Sequence, residues 1–298
     1  MDRLRSVLSA LGAILTGAGV LILLFVAYQL WGTGLYTSRQ QGSLRSEFNA
    51  KLKAAEASPT TSTTVDPLRL PPPPPSGDTV AHIRIPKIGV DQLVVQGVGL
   101  ADLRKGPGHY PETPLPGEQG NAAIAGHRTT YGAPFNRLGE LVDGDEILVT
   151  TLKGSFTYTV ARVHVVKPSQ VEVLNPTPTP TLTLTTCHPK YSAKERLIVV
   201  ASLAPGQKAT APTPTAPAPP DKEQELASEG LGDAGLASDR SKVPTILWGV
   251  LTAVIGIGWW VAIRKRRHWI SYVGGVVPFF VSLFFFYAHL ELLLPANF

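Results

Sequence analysis

The sequence predicts a mostly-β domain, a barrel or sandwich, carried between apolar membrane helices. Three observations carry that prediction. Residues 77–204 are built of short alternating or β-branched runs broken by Gly and Pro. They show no repeated strand–helix alternation of the kind that marks a parallel α/β sheet. The flanks hold three apolar stretches, 6–38, 243–263 and 268–290, without a single Asp, Glu, Lys or Arg.

The first element is an anchor, residues 1–38. Val7–Trp31 is long enough to cross a bilayer as a helix, for which about 20 apolar residues suffice. Arg3 and Arg5 precede it and favour a cytoplasmic N-terminus. A cleaved signal peptide is the competing reading, but its apolar region would be about 7–15 residues long. The longer run here, ending in Tyr28-Gln29-Leu30-Trp31, favours an uncleaved anchor. Residues 39–76 read as an extracellular Pro-rich linker, because Pro59, Pro67 and the run Pro71–Pro75 favour stiff, extended polyproline geometry.

The domain itself, 77–204, is large enough to bury its own core. Strand-like runs occur at Val80–Ile85, Val90–Val98, Asn121–Ala125, Glu146–Thr151, Ser155–Val166, Leu182–Thr186 and Leu197–Leu203, with a helical turn within 133–142. In Ser155–Val166, Phe156, Tyr158 and Val160 fall on one face and Thr157, Thr159 and Ala161 on the other. A Pro/Ala/Thr-rich and polar linker, 205–242, leads to a second span at 243–263. The basic cluster 264–268 after it should stay in the cytoplasm. The last segment, 269–298, then holds a third span over 269–290, or a hairpin that re-enters without crossing, a choice that Pro278 and Gly274-Gly275 leave open.

Charge and cysteine usage narrow the function. The net charge of +5 is spread over separate regions, with no basic, aromatic-interleaved patch for nucleic acid. The single cysteine, Cys187, excludes an intrachain disulfide. It closes the run Thr181–Cys187, and Arg196 opens the next apolar run nine residues on. His127 sits sixty residues upstream in Ala125-Gly126-His127-Arg128. A lone thiol with a His and an Arg available suggests a nucleophile. His127 would supply a nearby cation favouring thiolate and later protonate a leaving amine. Arg196 would donate to the oxyanion of a tetrahedral intermediate, the reaction being acyl transfer through a thioester.

The same residues admit plainer readings. Cys187 can be a small buried hydrophobe, His127 a turn cap and Arg196 a surface partner. Arg128 is an equal candidate for the oxyanion donor. His188 adjoins Cys187, but neighbouring strand residues point to opposite faces. A metal site from Cys187, His188, His127 and His164 lacks the usual paired spacing, and no cofactor is implied.

Thr183-Leu184-Thr185-Thr186-Cys187 followed by Arg196 resembles the active-site signature of sortases, the cysteine transpeptidases of Gram-positive cell surfaces. Gly106–Pro111, Gly117–Asn121 and Ala125–Arg128 fit the same family, and Cys187–Ala193 with Tyr110 is most similar to class E, the actinobacterial housekeeping type. The resemblance spans roughly 78–204. It implies a closed eight-stranded β-barrel and a catalytic His127, Cys187 and Arg196. It implies partners as well: surface proteins with a C-terminal sorting signal, cleaved between Thr and Gly, and a peptidoglycan precursor (lipid II) or similar amine as acceptor. Class E is associated with a Leu-Ala-x-Thr-Gly signal in place of Leu-Pro-x-Thr-Gly. Tyr110 is implicated in that preference, and Thr186 lines the site. His109 belongs to the motif without being its catalytic histidine.

Other readings compete. A pilin-polymerising sortase would use a lysine acceptor, but the lid of that class carries Asp-Pro-aromatic, and here Asp66-Pro67-Leu68 lacks the aromatic. Papain-like enzymes place Cys before His, and L,D-transpeptidases use a Ser-x-Gly-Cys loop. A non-enzymatic, membrane-tethered β-domain scaffold is the alternative from another class.

Overall fold

The computed structural model describes residues 2–57, 74–211, 242–265 and 274–293. Among them, eight strands close into a barrel: β1 (Thr79–Ile85), β2 (Val90–Gln96), β3 (Gly108–His109), β4 (Asn121–Ala125), β5 (Glu146–Thr151), β6 (Gly154–Val166), β7 (Thr181–His188) and β8 (Glu195–Leu203). The order around the barrel is β1-β2-β3-β4-β7-β8-β6-β5. Pairing is parallel at β2–β3 and β4–β7 and antiparallel elsewhere. Closure removes the open edges that would otherwise template aggregation.

Alternation along each strand sets the core. Ile83, Ile85, Ala122, Ile124, Ile147, Val149, Tyr158, Leu182, Leu184 and Val199 point into the barrel with Phe135 and Leu138. Each such aliphatic side chain contributes about 1.5–3 kcal/mol on full burial. The opposite face of β4 carries Ala123 and Ala125, which pack with Val98, Leu103 and Tyr110 in a second cluster outside the barrel. The strands thus bury both faces here, and the outer one becomes the floor of the site described below.

The strand expected at each periodic run is present. The eighth, β3, is two residues long, too short to show any periodicity. The helical turn expected within 133–142 is the 3₁₀ turn Leu138–Glu140.

The segment 39–76 differs from the linker expected of it. Helix α1 (Asp2–Ala27) passes through a π turn (Tyr28–Gly32) into α2 (Thr33–Ala57). Thr33, Thr37, Gln41, Leu44 and Phe48 recur at helical spacing and are all buried. Leu44 and Phe48 pack with Leu93 and Val95 of β2. Gln41 bonds both backbone groups of one β2 residue: the Leu93 N–H donates to Oε1 (2.7 Å) and Nε2 donates to Leu93 O (3.0 Å). The helix is therefore part of the barrel's outer wall, and only the Pro-rich stretch beyond it has a spacer's composition. Residues 58–73 lie outside the described set. The second linker also begins later than expected, since Thr210 pairs with Glu118 and donates its N–H to Gly117 O (2.8 Å).

The apolar helices form a separate unit, Met1–Gln29 with Gly235–Pro295. The short helix α3 (Leu100–Leu103) belongs with the barrel, and this unit contains α1, α4 (Val243–Lys265) and α5 (Val276–Leu290). Trp248 stacks on Phe285 with ring centroids 4.7 Å apart, and Tyr287 Oη donates to Leu21 O (2.6 Å). Among the described residues, two helices, one beginning in α1 and the other α4, are long and apolar enough to cross a membrane. Of the third span expected at 269–290, the described residues include the 15-residue apolar helix α5, and 269–273 lie outside the described set. Residues 266–273, which hold most of the expected basic loop, lie outside the described set.

Candidate active site

The site is assembled by register. In the parallel pair, Asn121 to Ala125 of β4 lie opposite Thr181 to Thr185 of β7. The pairing continues past the strand: the Gly126 N–H donates to Thr185 O (3.1 Å), and Thr186 Oγ1 donates to Gly126 O (2.7 Å). His127 and Cys187 are the next residues along the two segments. On the other side of β7, Cys187 is the cross-strand partner of Arg196. Cys187 and Arg196 thus sit side by side on strands spaced about 4.8 Å apart, and His127 follows β4 two residues beyond Ala125, the partner of Thr185. Cys187 and Arg196 share the outer face with Thr185 and Ile198, two residues away along each strand, since Thr185 lies against Tyr110 of the outer cluster.

Cys187 is partly exposed and carries a free thiol. Arg196 is buried; its Nη1 donates to the carbonyls of Ala193 (2.8 Å) and Glu195 (3.0 Å), which aims the guanidinium along the head of β8. His127 has its Nδ1 3.5 Å from Thr130 Oγ1, and its Nε2 is shielded from solvent with no hydrogen-bond partner. Burial, reinforced by the charge of Arg104, pushes its pKa down to about 4. The imidazole is therefore neutral at pH 7. This corrects the expectation that His127 supplies a standing positive charge to Cys187: the fixed cations near the sulfur are guanidinium groups, Arg196 across the ladder and Arg128, whose Nη1 donates to the Cys187 carbonyl (2.9 Å). A neutral imidazole with an open Nε2 can instead accept the thiol proton.

Gly126 permits this approach. A Cβ there would stand 2.6 Å from the Phe135 ring, so any side chain would push the His127 segment off the barrel.

Residues 83–204 match the sortase domain family. Sortase SrtE1 of Streptomyces coelicolor is 33% identical over 206 residues, covering 64% of this chain and 55% of the relative. Sortase D of Bacillus subtilis is 32% identical over 117 residues, covering 39% of this chain and 58% of the relative. The solved sortase E of Streptomyces avermitilis is 39% identical with a TM-score of 0.40, covering 44% of this chain and 91% of that one. A sortase D5 transpeptidase structure from Clostridium perfringens is 33% identical with a TM-score of 0.47, covering 56% of this chain and 99% of that one. Residues 83–204 are thus a sortase domain, and over that region the chain is similar to named sortases. As the motif around Cys187 implies, the domain is most like class E. The chain spans about half the length of the curated sortases it matches.

The remaining candidates fall around Cys187 and Arg196. Tyr110 is fully buried in the outer cluster, its Oη 3.4 Å from Thr185 Oγ1, and burial pushes its pKa up to about 12. It lies behind Thr185, two residues from the nucleophile on the same face, and does not open on solvent. Thr186 is also buried. By strand alternation it faces away from Cys187, and its hydroxyl is committed to Gly126 O. It positions the His127 segment, where the sequence reading had it lining the cleft. His109 is a structural residue: Nδ1 lies 2.9 Å from Gln96 Oε1 and Nε2 2.9 Å from Pro114 O, in a site whose burial pushes its pKa down to about 4.

Arg128 and Arg196, the two candidate oxyanion donors, differ in what they hold: Arg128 Nη1 lies on the Cys187 carbonyl and 3.0 Å from His188 Nδ1, whereas Arg196 Nη1 holds the Ala193 and Glu195 carbonyls. His188 is thereby tied to Arg128, on the far side of the alternation from Cys187. The next bond, His188–Pro189, is cis.

Proposed function

We propose that this sortase cleaves a Leu-Ala-x-Thr-Gly or Leu-Pro-x-Thr-Gly sorting signal between Thr and Gly and transfers the Thr carbonyl to an amine. The observation that supports the reading is the cross-strand pairing of Cys187 with Arg196, beside the β4–β7 register that leads into His127. The Cys187 thiol proton passes to the neutral imidazole of His127, and the thiolate sulfur attacks the Thr carbonyl carbon. Arg196 donates to the oxygen as it becomes an oxyanion. The C–N bond to Gly breaks, and the His127 proton goes to the departing amine. An incoming amine then attacks the thioester, loses its proton by way of His127, and returns Cys187 to the thiol.

The acceptor we favour is the amine of a peptidoglycan precursor such as lipid II, with a surface protein as donor. A membrane-anchored enzyme fits this pairing, with the N-terminus cytoplasmic, the barrel outside and two or more apolar helices in the bilayer. Two helices of sufficient length and apolarity support the anchoring. Tyr110 would influence the choice between Ala and Pro through Thr185, which it backs.

Incubating the full chain with a Leu-Ala-x-Thr-Gly peptide, with and without an amine, tests the reading by mass spectrometry. A peptide thioester on Cys187 that the amine discharges is the expected result. A chain that never acquires the acyl mass is not a sortase of this kind.

A further inference from the structure

We propose that α2 is part of the catalytic apparatus, with Thr33 and Tyr131 acting as positioning residues that hold the His127 loop in register. The inference rests on His127 acting in transfer as described above.

The loop after His127 is strained. Tyr131, Gly132 and Ala133 have φ of +51°, +75° and +44°, three left-handed residues in succession. For a residue with a Cβ this conformation costs roughly 1–2 kcal/mol, and it persists only where the surroundings impose it. Here they are supplied by α2. The Tyr131 N–H donates to Thr33 Oγ1 (3.1 Å). A Cβ on Gly132 would sit 3.6 Å from Thr37 Cγ2, and one on Gly34 would sit 3.9 Å from Gly132 N. Helix and loop are in direct backbone proximity.

Tyr131 passes the constraint on. Its ring lies 5.1 Å from the His127 ring, inclined at 35°. The Arg104 guanidinium sits over the same tyrosine, 5.3 Å from the ring centroid. Arg104 is itself tied to α2, since Thr37 Oγ1 donates to its carbonyl (2.9 Å). Two threonines one turn apart therefore fix both the residue packed on the imidazole and the cation behind that residue.

The division of labour along α2 separates this from simple docking. Leu44 and Phe48 provide apolar burial against β2. Thr33 and Thr37, 1% and 3% exposed, spend buried hydroxyls on loops that border the site. Hydrogen bonds of this kind are directional and specify register, which apolar packing alone does not.

The test compares Thr33→Val, Thr33→Ser and Arg45→Ala in the detergent-solubilised full chain. Arg45 bonds Asp91 on the exposed face of α2, away from the His127 loop, and serves as the control. Kinetics of peptide transfer, melting temperature and the NMR titration of the His127 ring are measured for each. The expected result is a kcat lower by about 10-fold in Thr33→Val with KM within twofold, as a small misplacement of a catalytic group produces. The His127 titration midpoint should move up as the loop loosens and admits water. Thr33→Ser should restore both, and Arg45→Ala should match the parent. Parent-level kcat in Thr33→Val would overturn the proposal, as would losses in Thr33→Val and Arg45→Ala that are equal and track melting temperature. Transfer that survives His127→Ala would instead discard the role of His127. An unmoved His127 titration in Thr33→Val sinks the brace whatever the reaction is.

Discussion

Cys187 and Arg196 are direct partners across the β7–β8 ladder, so the proposed nucleophile and the guanidinium beside it are held by two strands instead of a loop. The six residues between β7 and β8 can vary without moving the pair, because register, and not the loop, sets their spacing.

Replacing Cys187 by Ala should remove the thioester and all transfer. The chain has no second cysteine to substitute for it. Because the thiol is partly exposed, the melting temperature should stay within a few degrees of the parent. Mass spectrometry and thermal unfolding of the same preparation check both halves.

Arg196→Lys should lower kcat/KM by about 10²-fold, in the range found when an oxyanion donor is lost. Lysine keeps the charge but not the planar fork, and it cannot hold the Ala193 and Glu195 carbonyls while also reaching a substrate oxygen. Steady-state kinetics with the peptide substrate decide it, and a parent-like rate would remove Arg196 from the reaction.

Arg128→Lys should give a milder defect, about 10-fold in kcat/KM, together with a lower melting temperature. One Nη1 bridges the Cys187 carbonyl and His188, and a charge-assisted bond of this kind contributes about 1.5–3 kcal/mol. A variant as stable as the parent would show that the bridge does not hold the strand end.

Acid should destabilise the barrel through His127. Its folded pKa is about 4, against 6.5 as the ordinary value, so the unfolded chain binds the proton more tightly. The associated stability is whole above about pH 6.5 and is lost as pH falls toward 4, to a total on the order of 3 kcal/mol. Urea unfolding at pH 7 and pH 4.5 should therefore show a smaller difference in His127→Gln than in the parent.

Tyr110→Phe should shift the Ala-to-Pro ratio at the second signal position, because it removes the hydroxyl behind Thr185 while keeping the ring. Competition between the two peptides in one reaction measures the ratio directly. An unchanged ratio would leave Tyr110 with packing alone.

Most of the barrel was legible because strands such as Ser155–Val166 bury one face and alternate accordingly. The nucleophile and its two companions were legible as residue types at suggestive positions. Their alignment was not, since the β4–β7 pairing is parallel and joins segments sixty residues apart with no local signal. Helix α2 was missed for a different reason. Its buried stripe begins with Thr33, Thr37 and Gln41, so the apolar periodicity that normally announces a docked helix is confined to Leu44 and Phe48. The nearby prolines then drew the whole segment into a spacer. The neutral state of His127 depends on burial beside Tyr131 and Arg104, which the chain brings together only in three dimensions.

The parallel joint between β4 and β7 ties function to the end of folding. Contacts between stretches so distant in sequence carry a large closure entropy and form late. Until they do, the sulfur exists without its proton acceptor beside it, and a half-folded chain is chemically quiet. Recovery of transfer after dilution from urea should then lag behind the return of secondary structure and keep pace with the slowest refolding phase.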